Sequence, residues 1–381
     1  MSTYPDVAVV GGGIAGASVA YELAATRSVV LLEAESALGT HSTARSAATW
    51  IPGHGVAVVR ALIAASGPRF ARLAAELDAP PLLSPRPVIW VAADAAAEVA
   101  LAAQLDERAG EPDVPMAIDP AEARWRCPVL RPVRAAAVVE NAADVDVAAL
   151  HQAYVRGLRA RGGAVRSSAR VTALDRAASG WRIRLDAGDV LHAGEVVDAT
   201  GAWVDAVAAL AGVPRIGLTP LRRTAAVVRV PDPQRLRPTG GGPLPMACDA
   251  ADRWYTKADG PNLLVSPADE TPTEPGDPRP DELDVALAVE RVEEATGLGL
   301  RSVVTSWAGL RSFVPDRSPV VGAWPDQPGF WFVAGQGGSG IETAPALSAV
   351  AAAVVTGTAP PSDVAVDPAT LAPLRTAGRP T

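Results

Sequence analysis

The chain of 381 residues carries 42 acidic and 34 basic side chains, a formal charge of −8 that argues against nucleic acid or an anionic membrane surface as partner. With 49% apolar and 20% charged residues it can build sizeable cores, which excludes a disordered chain, and its length predicts two or three units. Its 34 glycines and 35 prolines follow no period, so they predict many turns and exclude a collagen-like repeat.

Residues 6–10 (DVAVV) form a short apolar run followed by GGGIAGASVAYELAAT and SVVLLEAES. This predicts strand, glycine turn, helix and strand, a βαβ unit. No basic residue precedes Arg27, so no signal peptide is expected and the protein is expected to be cytoplasmic. Helices are predicted at 67–78 and 94–109, with PPLLSPRPVIWVAAD between them as a proline-punctuated strand. From Val147 an amphipathic helix leads to strands at 164–174, 181–186 and 194–199, and further strands are predicted at 219–230 and 253–266. The acidic, proline-rich segment 266–282 is expected to be a solvated loop. A helix at 281–296, a strand around SVVTSWAGLRSF, the strand FWFVAG and an alanine-rich helix from about Ile341 complete the chain. Thr343–Ser362 is the least charged stretch, but Pro345, Gly357 and its small residues predict a buried helix rather than a membrane span.

Gly11, Gly13 and Gly16 form GxGxxG between a predicted strand and helix. Gly11 permits the tight turn, Gly13 lets backbone approach a pyrophosphate, and Gly16 lets the helix pack closely on the sheet. Glu33, at the end of the second strand, is placed to hold ribose hydroxyls. FAD and NAD share this fingerprint. The loop HSTARSAA (41–48) and two further glycine turns, VVDATGAW and GQGGSG, favour FAD, whose isoalloxazine requires close backbone approach. Cys127 and Cys248 are isolated, and His41, His54, His151 and His192 show no metal-ligand spacing, so neither disulfide nor metal is expected.

GGGIAGAS, Glu33, HSTARSAA, ATGAW, GLRSFVPD and GQGGSGI resemble the D-amino-acid oxidase and glycine oxidase family of FAD-dependent oxidoreductases. LLSPRP (82–87), LHQAYVRGLR (150–159), GLTPLRR (217–223) and WAGLRSF (307–313) are most similar to its bacterial D-arginine dehydrogenase branch. The resemblance spans Pro5 to about Val355. It implies an α/β fold in which a Rossmann-like FAD-binding domain of glutathione-reductase type (1–82, 147–218 and 317–381) is interleaved with an α+β substrate-binding domain (83–146 and 219–316) on a mostly antiparallel sheet. It also implies noncovalent FAD, because no cysteine stands before the late Pro315–Asp316 pair. Cofactor contacts are implied for Gly11, Gly13, Ile14, Ala15, Gly16, Glu33 and Ala34. They extend to His41, Ser42, Thr43, Arg45, Ser46 and Ala47, then to Val171, Thr200, Gly201 and Trp203. Gly335, Gly337, Gly338, Ser339, Gly340 and Ile341 close the set.

The reaction implied is oxidation of a C–N bond beside a carboxylate in an amine or amino acid, hydride leaving Cα for flavin N5 and water hydrolysing the imine. A guanidinium fork matches a carboxylate bidentately, and the resemblance gives that role to Arg311. Arg222 and Arg223 alternate to opposite faces of a strand, with Arg223 facing the site. Tyr255 would cap the carboxylate and His54 would donate within the pocket. Thr49, Trp50, Val88 and Ser339 would line the substrate pocket, Thr49, Val88, Ser339 and His54 standing where the D-arginine enzyme has other residues. Val88 replaces a glutamate that would receive a cationic side chain, and an unpaired buried charge is strongly disfavoured. D-arginine and D-lysine are therefore expected to be poor substrates, and an apolar group is expected. That group belongs either to a neutral D-amino acid or to the nitrogen of an N-substituted glycine, cleaved to glyoxylate in a biosynthetic pathway. Lys257, the sole lysine, is the one lysine available to activate oxygen. An NAD-dependent dehydrogenase and a catalytically inactive nucleotide-binding module are the readings from other classes, and the sequence fixes no oligomeric state.

Overall fold

The computed structural model describes residues 4–238 and 240–375. The outermost parts of the expected cofactor domain, 1–3 and 376–381, lie outside these. A six-stranded sheet runs in the order Val320–Ala323, Phe330–Ala334, Glu195–Asp198, Val7–Val10, Val29–Leu32, Ala164–Arg166. All neighbours are parallel except the first pair. The sheet thus gathers strands from three separated stretches of sequence.

Its strands are almost continuously apolar because both faces are covered. Val7, Val9 and Leu31 face helices Ile14–Leu23, Ala57–Glu76, Val147–Ala160 and Gly340–Thr356. Ala8, Val10 and Leu32 face the antiparallel meander 171–193 and helix Val204–Leu210. The strand Val7–Val10 pairs with Val29–Leu32 on one side and Glu195–Asp198 on the other. Connections leave it in opposite directions, and an α/β sheet opens a ligand crevice at such a point.

A second, nine-stranded sheet is mostly antiparallel. Its long strands Thr219–Arg229 and Val303–Phe313 pair along their whole length. One face carries Ile89, Val91, Ala226, Val228 and Val265 against helices Pro120–Arg126 and Glu282–Thr296. The other carries Val88, Trp90, Met246, Tyr255 and Leu264, together with Arg223 and Arg311, toward the first sheet. Asp94, Asp146 and Asp281 start their helices by accepting first-turn N–H groups.

Several expectations change. The segment 266–282 is not free in solvent: Thr271–Pro272 pairs with Leu221–Arg222, and its acids hold arginines described below. The strand expected at 164–174 is two, one in each of two sheets, because the chain turns through Ser168 at φ 50°. The helix expected from about Ile341 is present and buried. Among the described residues no helix is long and apolar enough to cross a membrane.

Candidate active site

A cleft of about 420 Å³ lies where the two sheets face each other. Its floor is the turn between the first strand and helix Ile14–Leu23. Gly11 takes φ +104°, and a Cβ there would lie 2.5 Å from the Ala199 carbonyl oxygen. A Cβ on Gly16 would fall 1.8 Å from the Gly11 oxygen, so this residue allows the helix to close on the turn and does not itself line the cleft. Thr43 Oγ1 accepts the Ile14 N–H at 3.0 Å, one of the free donors of the helix start. His151 Nε2 meets the Gly12 carbonyl at 2.8 Å, and burial holds its ring below the usual histidine range. Glu33 accepts from Gly12 N and Glu35 N, both at 2.8 Å.

The loop 39–48 joins the two sheets. Ser42 Oγ donates to Leu310 O at 2.8 Å, Arg45 to Ala308 O at 3.1 Å, and Trp307 Nε1 to Arg45 O at 3.0 Å. Arg45 also pairs with Asp277, and Lys257 Nζ donates to Ala47 O at 2.6 Å and Asp144 at 2.8 Å. Lys257 is not among the lining residues, and its ammonium holds the loop at Ala47, which is.

The second sheet forms the opposite wall. Arg223 opposes Gly309 and Leu221 opposes Arg311, so the two arginines share a face as diagonal neighbours. Arg223 is buried, its Nε donating to Asp269 O at 2.7 Å and its Nη2 to Glu270 at 3.2 Å. Burial, and then the charge of Arg311, make its cation less favourable. Arg311 forms no ion pair among the described residues and lies over Gly338, where a Cβ would come within 2.9 Å of Nη1. Tyr255 lines the same wall. Arg222 points away, to Asp284 at 2.7 Å, as strand alternation requires.

Most residues expected to contact a cofactor line this one cleft: Gly11, Gly13, Ile14, Ala15, Glu33, Ala34, His41, Ser42, Thr43, Arg45, Ser46, Ala47, Val171, Thr200, Gly201, Trp203, Gly337, Gly338, Gly340 and Ile341. Gly16, Gly335 and Ser339 do not. Ser339 instead lies buried at the start of helix Gly340–Thr356, its carbonyl accepting from Thr343.

The residues expected in the substrate pocket, Thr49, Trp50, His54, Val88 and Ser339, are not among those lining this cleft. Val88 is fully buried beneath the wall, clustered with Ile51, Trp90, Met246 and Tyr255. Trp50 donates to Ile63 O at 2.9 Å, and Thr49 Oγ1 meets Met246 Sδ at 3.6 Å. His54 sits 3.4 Å from Glu342 and stacks near Trp90. Buried Glu342 also accepts the Ile51 N–H at 3.0 Å, which ties the segment 49–54 to the start of helix Gly340–Thr356, whose Gly340 and Ile341 line the cleft.

Several cleft residues escaped the sequence reading. Gln336 lines it with Nε2 buried and without a partner among the described residues, an orphan donor that a ligand carbonyl would satisfy. Its signal was a polar residue inside a glycine-rich turn. Ala206, Val207 and Leu210 add an apolar helix face. Asp198 is fully buried behind Thr200, accepting from Thr200 N at 3.2 Å and Oγ1 at 2.6 Å; burial pushes its carboxyl up to about 8. Cys127 and Cys248 are buried, and neither lines the cleft.

The glycine turn, the carboxylate at Glu33 and the orphan donor of Gln336, gathered in one cleft, fit a bound dinucleotide. Residues 6–354 match the family model described as FAD dependent oxidoreductase, DAO. Among solved structures, a glycine oxidase from Geobacillus kaustophilus is 22% identical with a TM-score of 0.85, covering 99% of this chain and 100% of that one. L-proline dehydrogenase from P. horikoshii gives 18%, 0.84, and 98% of both chains. An iminodiacetate oxidase from Chelativorans sp. BNC1 gives 21%, 0.79, and 96% and 98%.

Proposed function

The chain belongs to the DAO family of FAD-dependent oxidoreductases, and from that membership we propose that it oxidises the C–N bond of a neutral amino acid with an apolar side chain. Arg311 is the single observation that carries this reading: a guanidinium on the cleft wall, without an ion-pair partner, fits the α-carboxylate that such a substrate brings. Its fork would take both carboxylate oxygens, with Tyr255 beside it. Glu33, Thr43, Thr200, Gln336 and the backbone at Gly11–Ile14 would hold FAD. On this reading the attachment is taken as noncovalent, since neither Cys127 nor Cys248 lines the cleft. The bound flavin supplies a two-electron acceptor.

The protein's part is orientation and exclusion. The carboxylate fixed at Arg311 sets where Cα and the amine lie, and the neighbouring positive charges favour the neutral amine over an ammonium. Loss of two electrons and two protons gives an imine, which water converts to the oxo acid and ammonia. Substrate cations are disfavoured because Glu33 and Glu35, at the far end of the cleft, are its only acidic lining residues among those described. This replaces the argument from Val88.

An N-substituted glycine presents the same carboxylate and amine, with its apolar arm on nitrogen. The similar fold of an iminodiacetate oxidase and the small residues Ala225 and Gly309 in the wall support that second reading.

Arg311→Ala tests the carboxylate assignment. Truncating one partner of a buried charge pair costs about 2–5 kcal/mol, so kcat/KM is expected to fall by roughly 30-fold to several thousandfold while FAD stays bound. Unchanged flavin reduction by every amino acid tried would remove Arg311 from the site.

A further inference from the structure

The acidic segment 266–282 places one carboxylate against the arginine wall. Glu270 Oε1 accepts from Arg223 Nη2 at 3.2 Å and from Arg317 Nη2 at 2.7 Å, while Oε2 accepts from Arg317 Nη1 at 3.1 Å. The charges of Arg317, Arg223 and Arg311 together hold its carboxyl below the usual range, against the opposing effect of burial. Arg317 is half exposed and stacks over Phe313, so solvent screens its charge. Arg223 is buried, and Glu270 is its one ion-pair partner among the described residues.

The two cleft arginines therefore differ. Arg311 has no ion-pair partner among the described residues, whereas Arg223 is paired with Glu270 and anchored through Nε by the Asp269 carbonyl. Diagonal neighbours across a strand pair are about 7–8 Å apart, which a four-carbon dicarboxylate can span. Without Glu270 the wall would present two unpaired guanidinium groups and bind a second carboxylate.

The geometry points to Glu270 as a specificity-determining residue: by countering Arg223 it restricts the site to substrates with one carboxylate and a neutral remainder. This inference rests on the proposed amino acid oxidation. Glu270 acts through Arg223 and touches no substrate itself. Glu270→Gln keeps an acceptor for Arg223 but removes the charge. Arg317→Met has the opposite effect, leaving Glu270 to Arg223 alone.

The test titrates the FAD-loaded protein with isovalerate and succinate, reading binding from the flavin spectrum, alongside anaerobic reduction by D-leucine and D-glutamate. Glu270→Gln is expected to raise the preference for succinate over isovalerate by roughly tenfold, the effect of about 1.4 kcal/mol, and to lower KM for D-glutamate relative to D-leucine. Arg317→Met is expected to shift both ratios the other way. Equal weakening of both ligands, or unchanged ratios in a wild type that binds isovalerate and is reduced by D-leucine, would overturn the inference and leave the proposed function standing. A wild type that binds neither probe and is reduced by no neutral amino acid would remove both. Should Glu270→Gln not retain FAD, Arg317→Met decides, an unchanged ratio counting against the inference.

Discussion

Arg311 and Arg223 are two among 33 arginines, and what separates them from the rest is their surroundings. About half of the others pair with an acid, many near the surface, where an ion pair contributes little; Arg311 pairs with none among the described residues and is set apart by lying over a glycine turn in the cleft. A different residue-scale device sits behind Thr200. In the folded protein Asp198 keeps its proton up to about pH 8, whereas the unfolded chain releases it near 3.8. Between those values the folded state binds more protons than the unfolded state, so this group's contribution makes stability fall as pH rises and level off above about 8. Asp198→Asn preserves an acceptor for Thr200 and cannot ionise. Thermal melts across pH 4–8 should show its Tm gaining steadily on the wild type, and a constant difference would contradict the assignment. His151 offers a parallel test at the cofactor turn. Removing its contact to the buried Gly12 carbonyl costs about 1–3 kcal/mol, so His151→Ala should raise the FAD Kd roughly five- to hundredfold by fluorescence titration. An unchanged Kd would mean that the turn holds its shape without the imidazole.

Among the elements, the opening βαβ unit was legible because strand, GxGxxG, helix and carboxylate are local in sequence, and each glycine has a steric reason. Gly16→Ala would drive a methyl into the Gly11 carbonyl; it should abolish FAD retention and lower Tm, and a variant that binds FAD normally would refute the close packing. Other boundaries were hidden by local signals that tertiary contacts override. Helix Ala57–Glu76 contains Gly67 and Pro68, which read as a helix start, yet Trp50 packs against Gly67 and the helix runs through. Strand Ala135–Val139 begins with three alanines, poor in β-propensity, and owes its form to pairing with Val88–Ala92. The segment 266–282 looked solvated from its charge. The reason it is not, the arginines at 45, 222, 223 and 317, lies far from much of it in sequence.

At the scale of the molecule, the site is made by two sheets that meet only after the chain has crossed between them several times. Most of the residues expected along the cofactor line one cleft, and that grouping was legible because their motifs are short and local. The surroundings of Val88 and of the segment 49–54 were not, because they depend on Glu342 and on the packing behind Tyr255, which no spacing reveals. The charge of −8 is unevenly arranged at this scale: one wall of the cleft carries Arg223 and Arg311, while its acidic lining residues among those described are Glu33 and Glu35, and the proposed preference for a non-basic amino acid rests on that asymmetry. The most direct test is anaerobic titration of the FAD-loaded protein with neutral D-amino acids, N-alkylglycines, D-arginine and D-lysine. The account predicts loss of the oxidised flavin absorbance with at least one neutral member and none with the two basic ones. A flavin that dithionite reduces, but that no amino acid or N-alkylglycine bleaches, would contradict it.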